Sequence, residues 1–362
     1  MNSLIILGWD SFFEENSESF KQNGFSFARI ITEHKERYIA ASEKGELSAE
    51  VTGKLLYSSE SNARLPKVGD WVAAIIYEDE KKAIIHDVLP RKSEFGRKAS
   101  GSKIQEQVIA ANIDLLLIVQ SLDANYNHRR MERYLTMAYE GKMQPVIVLN
   151  KSDICSDAEN IFREVKKVFT DVDVFAVSAE TGKGINDLKE IIKKGKTCAL
   201  VGSSGVGKSS IINRILGYDR QKVNEVRLTD LRGKHTTTSR EIILIPGGGI
   251  IIDTPGMREF QLWSADSGLE SVFPEIEELS VDCRFKDCSH THEINCAVLN
   301  ALQAGELSQE RYDSYLKLRK EAEWIKIKAD PDEMQKREDK WKKIHKQVKY
   351  MKKFNRRNFG KG

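Results

Sequence analysis

The chain has 362 residues, of which 40% are hydrophobic and 31% charged, with a formal net charge of +3. That length predicts about two or three domains, and the composition excludes disordered and fibrous classes. Its longest apolar stretches, such as 115–119, are too short to cross a bilayer. No basic segment precedes the short apolar run at the start, so neither a membrane partner nor a secretory signal is expected, and a cytoplasmic location is. Residues 340–362 hold ten Lys or Arg and no Asp or Glu, which leaves the rest of the chain net acidic. A basic tail on an acidic body fits a polyanionic partner.

In chain order, residues 1–24 are polar apart from Trp9, Phe12, Phe13 and Phe20, and predict an extension with a short helix docked on the next domain. Strand patterns at 25–31, 37–41, 49–53, 71–77 and 83–89 predict a small closed β-barrel of OB-fold type over 25–97. Residues 91–103 read as a basic, Gly- and Ser-containing link. From 98 to 262, strands at 114–120, 145–149, 173–177, 197–201 and 249–252 alternate with helices at 127–140, 185–194 and 208–216, as in a doubly wound α/β domain. Residues 263–362 predict a helix at 264–276, a cysteine cluster, and a helix at 308–328 with Leu316, Ile325 and Ile327 on its apolar positions. A last helix starts at Pro331 and runs into the basic tail.

Three loops carry chemistry, each at the end of a strand. Gly202-Ser203-Ser204-Gly205-Val206-Gly207-Lys208-Ser209, followed by Ser210, fits the loop that wraps nucleotide phosphates. Its backbone N–H groups lie near a helix N-terminus. Lys208 would reach the β- and γ-phosphates and the Ser209 hydroxyl would ligate Mg²⁺. Asn150-Lys151-Ser152-Asp153 has the pattern of a guanine reader. Asp153 would accept from the ring N–H and the exocyclic amine, and Asn150 would contact the other edge. Ser178-Ala179 ends the next strand, where the Ala179 N–H would meet the guanine O6. An ATPase needs neither element. Asp253-Thr254-Pro255-Gly256 matches Asp-x-x-Gly: Asp253 would hold Mg²⁺ through water and the Gly256 N–H would sense the γ-phosphate.

Gly233-Lys234-His235-Thr236-Thr237-Thr238 lies where switch I belongs. One of its threonines would complete the Mg²⁺ shell; Thr237 is favoured, though spacing does not decide among them. Met257-Arg258 stands where many GTPases carry a water-positioning Gln, which predicts slow intrinsic hydrolysis. His235 is the natural substitute because it can orient or accept from water; a hydrogen bond within switch I is its competing role. In most GTPases the phosphate loop comes first. Here the base reader precedes it, so the parts are complete and their order is rotated.

Cys283-x4-Cys288-x-His290-x5-Cys296 supplies three thiols and an imidazole, enough for tetrahedral Zn²⁺, with His292 a competing fourth ligand. No coordination position is left open, so a structural metal is expected. Cys155 and Cys198 read as ordinary residues.

The rotated order, the Gly202–Ser210 loop, Gly233-Lys-His-Thr-Thr-Thr, Asp253-Thr-Pro-Gly-Met-Arg-Glu-Phe and the Cys283…Cys296 cluster together resemble the RsgA (YjeQ) family of circularly permuted GTPases. The resemblance covers roughly residues 25–300. It implies an OB-fold, a permuted GTPase domain and a zinc domain, with zinc ligands at Cys283, Cys288, His290 and Cys296 and the family's proposed catalytic histidine at His235. It further implies a GTPase that binds the 30S ribosomal subunit and hydrolyses GTP to GDP and phosphate in late small-subunit maturation, stimulated by that subunit. The barrel, the zinc domain and the tail are expected to contact 16S rRNA, and the protein to act as a monomer. The alternative is a GTP-gated RNA-binding assembly chaperone in which hydrolysis is incidental; a general translation factor is a third reading. Lys234 departs from the family's usual Arg, and both chain ends make this a longer version than many members.

Overall fold

The computed structural model describes residues 2–34, 37–58, 65–98, 106–192, 195–219, 241–253 and 266–329, with isolated helical positions up to 348. Three short helices open the chain rather than one: α1 (Asn2–Ile6), α2 (Ser11–Glu15) and α3 (Glu18–Gln22). The Asp10 side chain caps α2 by accepting from the Phe12 N–H at 3.1 Å, which fixes a second helix start close behind the first.

Five strands follow: β1 (Ser26–His34), β2 (Arg37–Ser42), β3 (Gly45–Val51), β4 (Trp71–Tyr77) and β5 (Lys82–Val88), with α4 (Gly53–Ser58) after β3. They pair in the order β1-β2-β3-β5-β4, and β4 returns to β1 with Ala74 opposite Ser26, closing the barrel. Strand alternation sends Ala28, Ile30, Ala40, Val72 and Ala74 inward. It sends Phe27, Ala41, Trp71 and Ala73 outward, where Trp9 and Phe13 of the N-terminal segment cover them. The third strand starts before the expected 49–53. Glu46, Ser48 and Glu50 face solvent while Leu47 and Ala49 are buried, so its half-polar pattern reads as a turn in sequence.

The expected link at 91–103 contains a strand. β6 (Glu94–Lys98) pairs antiparallel with β7 (Glu106–Ala111). Arg91, just ahead of it, donates to both carboxylate oxygens of the buried Asp70 at 2.8 and 2.7 Å, which ties the hairpin to the barrel.

The α/β domain holds β8 (Leu115–Ser121), β9 (Gln144–Asn150), β10 (Asp173–Ala176), β11 (Thr197–Val201), β12 (Glu241–Leu244) and β13 (Ile250–Asp253). Their order is β10-β9-β8-β11-β13-β12, parallel except for β12. One pairing, Thr32 opposite Glu241, carries this sheet into the barrel. Every residue of β8 is buried, alternately in two cores. Leu115, Leu117 and Val119 pack under α7 (Ile185–Ile191) and α8 (Lys208–Leu216). Leu116 and Ile118 pack under α5 (His128–Glu140) and α6 (Ala158–Val168).

The C-terminal part is helical: α9 (Asp266–Val272), α10 (Pro274–Ser280), α11 (Ala297–Ala304) and α12 (Gln309–Ala329). The single helix expected at 264–276 is two, because Pro274 lacks the N–H that a continuing helix needs and instead starts α10. Phe273, Tyr315 and Leu318 share one core with Met131, Tyr134 and Leu135 of α5, so this region sits on one face of the sheet. No described helix is long and apolar enough to cross a membrane.

Candidate functional site

Sheet order brings the predicted loops together. β11 lies between β8 and β13, and each of β9, β10, β11 and β13 delivers its loop from its C-terminal end. That edge is where open α/β sheets bind ligands.

The phosphate loop is shaped by what surrounds two glycines. Gly202 has φ +149°, and a Cβ there would lie 2.4 Å from the Val119 carbonyl oxygen; Gly207 has φ +96°, and a Cβ would lie 2.2 Å from Asn150 Nδ2. A side chain at either position meets both backbone strain and a fixed neighbour. Val206 is buried beneath the loop, while Ser204, Gly205, Ser209 and Ser210 are exposed at its mouth. Lys208 folds back to donate to the carbonyls of Gly202 and Ser203 at 2.7 and 2.9 Å.

Asn150 joins the phosphate loop to the base-reading loops. It is 2% exposed. Its Nδ2 donates to the Val206 carbonyl at 2.8 Å, and its Oδ1 accepts from the Ala179 N–H at 3.1 Å. The motif pattern assigns Asn150 and the Ala179 N–H to the base; in this geometry they bond to one another, because a buried amide needs partners on both ends. Ser178 is buried, and its hydroxyl accepts from the Thr181 N–H at 3.0 Å. Lys151 sits at φ +64° and reaches Asp123 Oδ2 at 2.8 Å. The Lys151 ammonium, with the Asn125 N–H and the Ser121 hydroxyl, holds the Asp123 carboxyl down at about 2, so this carboxylate is charged throughout the physiological range. Asp153 is exposed beyond this cluster, and Asp253 ends β13 half-buried. His235, Thr237 and Gly256 lie outside the described residues.

Sequence reasoning missed two arginines here. Arg214 of α8 donates from Nε to the Ala179 carbonyl at 2.9 Å and from Nη2 to the Glu180 carbonyl, which props the loop after β10. Arg130 of α5 donates to Ser203 Oγ at 2.8 Å across 73 positions of chain. No local motif announces either contact.

The second site is the cysteine cluster. Ligand atoms of Cys283, Cys288, His290 and Cys296 all lie within 4.8 Å of one another, the one such group among the described residues. Cys283 Sγ is 3.6 Å and Cys296 Sγ 3.5 Å from His290 Nδ1, and the two sulfurs are 3.8 Å apart. Zinc bonds of about 2.3 Å to sulfur and about 2.0 Å to nitrogen at tetrahedral angles require about 3.8 Å between sulfurs and about 3.5 Å from sulfur to nitrogen. The donor set therefore fits one tetrahedral cation. Burial, followed by the Arg319 charge, lowers the His290 pKa and favours the neutral imidazole that ligates; burial also pushes the Cys288 thiol up to about 12. His292 is not in the group: its Nδ1 bonds to Thr291 Oγ1 at 2.8 Å. Tyr312 OH donates to the His290 carbonyl at 2.5 Å and Arg319 Nη1 to the Ser289 carbonyl at 3.1 Å, so α12 supports the ligand loop.

The chain matches a family model described as RsgA GTPase over residues 88–263, and one described as 50S ribosome-binding GTPase over 197–353. It is 42% identical over 352 residues to a protein of Opitutus terrae named small ribosomal subunit biogenesis GTPase RsgA, spanning 95% of this chain and 96% of that one. Among solved structures it is similar to YjeQ from Thermotoga maritima, with a TM-score of 0.61 and 26% identity, covering 82% of this chain and 98% of that one. It also shares its fold with YloQ, described as a circularly permuted GTPase, with a TM-score of 0.58 and 24% identity over 83% of this chain and 95% of that one.

Proposed function

The chain belongs to the RsgA GTPase family, and on that premise we propose that it hydrolyses GTP to GDP and phosphate on the small ribosomal subunit, late in that subunit's maturation. Support for the small subunit comes from the near full-length relative that carries it in its name. The large-subunit description belongs to a model matching only 197–353, the half that starts at the phosphate-loop strand. The same relative's name as a GTPase favours an enzyme over a chaperone with incidental hydrolysis.

In this reading the backbone N–H groups of Gly202 to Ser210 cradle the phosphates, and Lys208 leaves its two carbonyl partners to meet the β- and γ-oxygens. Asp153 reads the guanine ring N–H and amine, and Lys151, anchored by Asp123, borders the base. Ser178 and Ala179 form the loop that closes over it. Ser209, Asp253 and Thr237 would hold Mg²⁺, which would supply positive charge beside the phosphate oxygens. The Gly256 N–H senses the γ-phosphate, and His235 positions the attacking water in place of the missing Gln. Cys283, Cys288, His290 and Cys296 would hold a structural Zn²⁺ that fixes the C-terminal fold. The barrel, this zinc region and the basic tail grip 16S rRNA mainly through phosphates, so binding weakens with salt. One copy of the chain carries every part of the nucleotide site, and it acts as a monomer in the cytoplasm.

The observation that carries the proposal is the Asn150 clamp, which joins a phosphate loop to a base-reading loop across the sheet. The test is single-turnover GTP hydrolysis with and without purified small subunits. Stimulation by the subunit, and loss of GTP binding in Lys208→Ala, are expected. Equal rates with and without subunits, or competition by ATP, would overturn it.

A further inference from the structure

We propose that Arg130 is a second cation of the phosphate site, supplied by this chain to the terminal phosphate of GTP. Arg130 stands in the first turn of α5, where its N–H is held by the Asn127 side chain at 3.0 Å. Its Nη1 donates to Ser203 Oγ at 2.8 Å and to the Asn125 carbonyl at 3.2 Å. Lys208 Nζ donates to the carbonyl of the same Ser203 at 2.9 Å. Two cationic side chains thus converge on one residue of the phosphate loop, one at its hydroxyl and one at its carbonyl.

The charge of Arg130 has no acidic partner among the described residues. Two nearby arginines do have such partners: Arg133 pairs with Glu321, and Arg311 with Glu132 and Glu275. The carboxylates on either side are engaged, Asp123 by Lys151 and Glu132 by Arg311 and Ser314. Arg130 therefore directs a guanidinium with five N–H donors at the loop, bonded among the described residues to a neutral hydroxyl and a carbonyl. A phosphate oxygen is a stronger acceptor than either, because the bond becomes charge-assisted and the planar fork can engage two oxygens. The stretch after Asp253 offers Met257-Arg258 rather than a Gln, so charge that develops on the terminal phosphate needs a donor from elsewhere. An arginine supplied in cis meets that need in other GTPases. GTP carries more charge than GDP at the end nearest the loop mouth, so a cation there discriminates between the two as well as stabilising the transition state.

The inference rests on the GTPase reading, and its test separates the two. Arg130→Gln keeps an N–H donor for Ser203 without the charge; Arg130→Lys keeps the charge without the fork. Hydrolysis is measured in single turnover at saturating GTP, with and without small subunits, beside the affinity for GDP. Arg130→Gln should be slower by at least about tenfold, Arg130→Lys should lie closer to the parent, and GDP affinity should stay within about twofold. A parental rate in Arg130→Gln overturns the proposal. So does an equal loss of GDP binding in both variants, which would make Arg130 a prop for the loop. If the unsubstituted protein neither binds nor hydrolyses GTP, the GTPase reading itself fails.

Discussion

Asp153 and Asn150 belong to one four-residue motif yet sit in opposite surroundings, one exposed and the other 2% exposed. Burial assigns their work. Asn150 is held on both ends of its amide by protein, so in the proposed site discrimination between bases falls to Asp153. An Asp accepts from guanine's ring N–H and amine, whereas an Asn presents an N–H₂ that suits the carbonyl xanthine carries in place of that amine. Asp153→Asn should therefore lose GTP affinity by about 100-fold or more and gain affinity for xanthosine triphosphate. Competition binding with the two nucleotides checks this, and unchanged GTP affinity would remove Asp153 from the base site. The motif was legible because its residues are adjacent in sequence. The Asn150 partners were not, since Val206 lies 56 positions away and is reached only once β9 and β11 share a sheet.

Among the elements, α5 does most to join the parts. Its first turn touches the phosphate loop through Arg130. Farther along, Glu132 pairs with Arg311 at 2.7 Å and Arg133 with Glu321 at 2.6 Å, while Glu140 accepts from the Gly268 N–H at 2.8 Å. Arg311 in turn lies 4.3 Å over the Phe273 ring. The helix itself was readable from its apolar spacing and its Asn127 cap; its partners, the Gly268 N–H on α9 and Arg311 and Glu321 on α12, were not, because polar residues on a helix face usually meet water. Pro274 is plain in the sequence, but a proline within an apolar helical pattern fits a kink as well as a new start, and only the structure shows the new start. The cysteine loop is the element a bound metal would order most: Cys296, one of the four residues proposed to hold zinc, is the N-cap of α11. Removing the metal with a chelator should increase hydrogen exchange over 283–296 and the first turn of α11 by about tenfold or more. Nucleotide affinity should persist, because α7 and α8 pack in the separate core on the other face of the sheet. Unchanged exchange after chelation would argue that no metal is held there.

At the scale of the molecule, a single buried side chain crosses three parts of the chain. Arg29 of β1 is 1% exposed and donates to the carbonyls of Leu7, Gly69 at 3.2 Å and Asn112 at 3.1 Å. Burial lowers its pKa to about 10, with Asp114, Asp70 and Asp10 opposing, so it stays protonated at neutral pH. Arg29→Met leaves those carbonyls without a charged donor and should cost about 3 kcal/mol. Denaturant unfolding followed by tryptophan fluorescence, to which Trp9 and Trp71 with rings 4.8 Å apart contribute, checks this; a change below about 0.5 kcal/mol would show that the three parts are held by other contacts. Barrel, α/β domain and cysteine cluster could each be read from local pattern, whereas this seam could not, because an arginine in a strand pattern looks like a solvent-facing residue.

The position of β11 has a further consequence for how the protein is made. Synthesis delivers β8, β9 and β10 first, and they pair in the order β10-β9-β8 with β8 at the rim. All seven residues of β8 are buried in the finished sheet, so the growing chain carries an apolar rim with unpaired N–H and C=O groups until Thr197–Val201 leaves the ribosome. The strand that closes this rim is the one that carries the phosphate loop. Covering this edge of β8 and presenting the phosphate loop are therefore one step, and β11 in turn waits for β13, which brings Asp253 to the same edge.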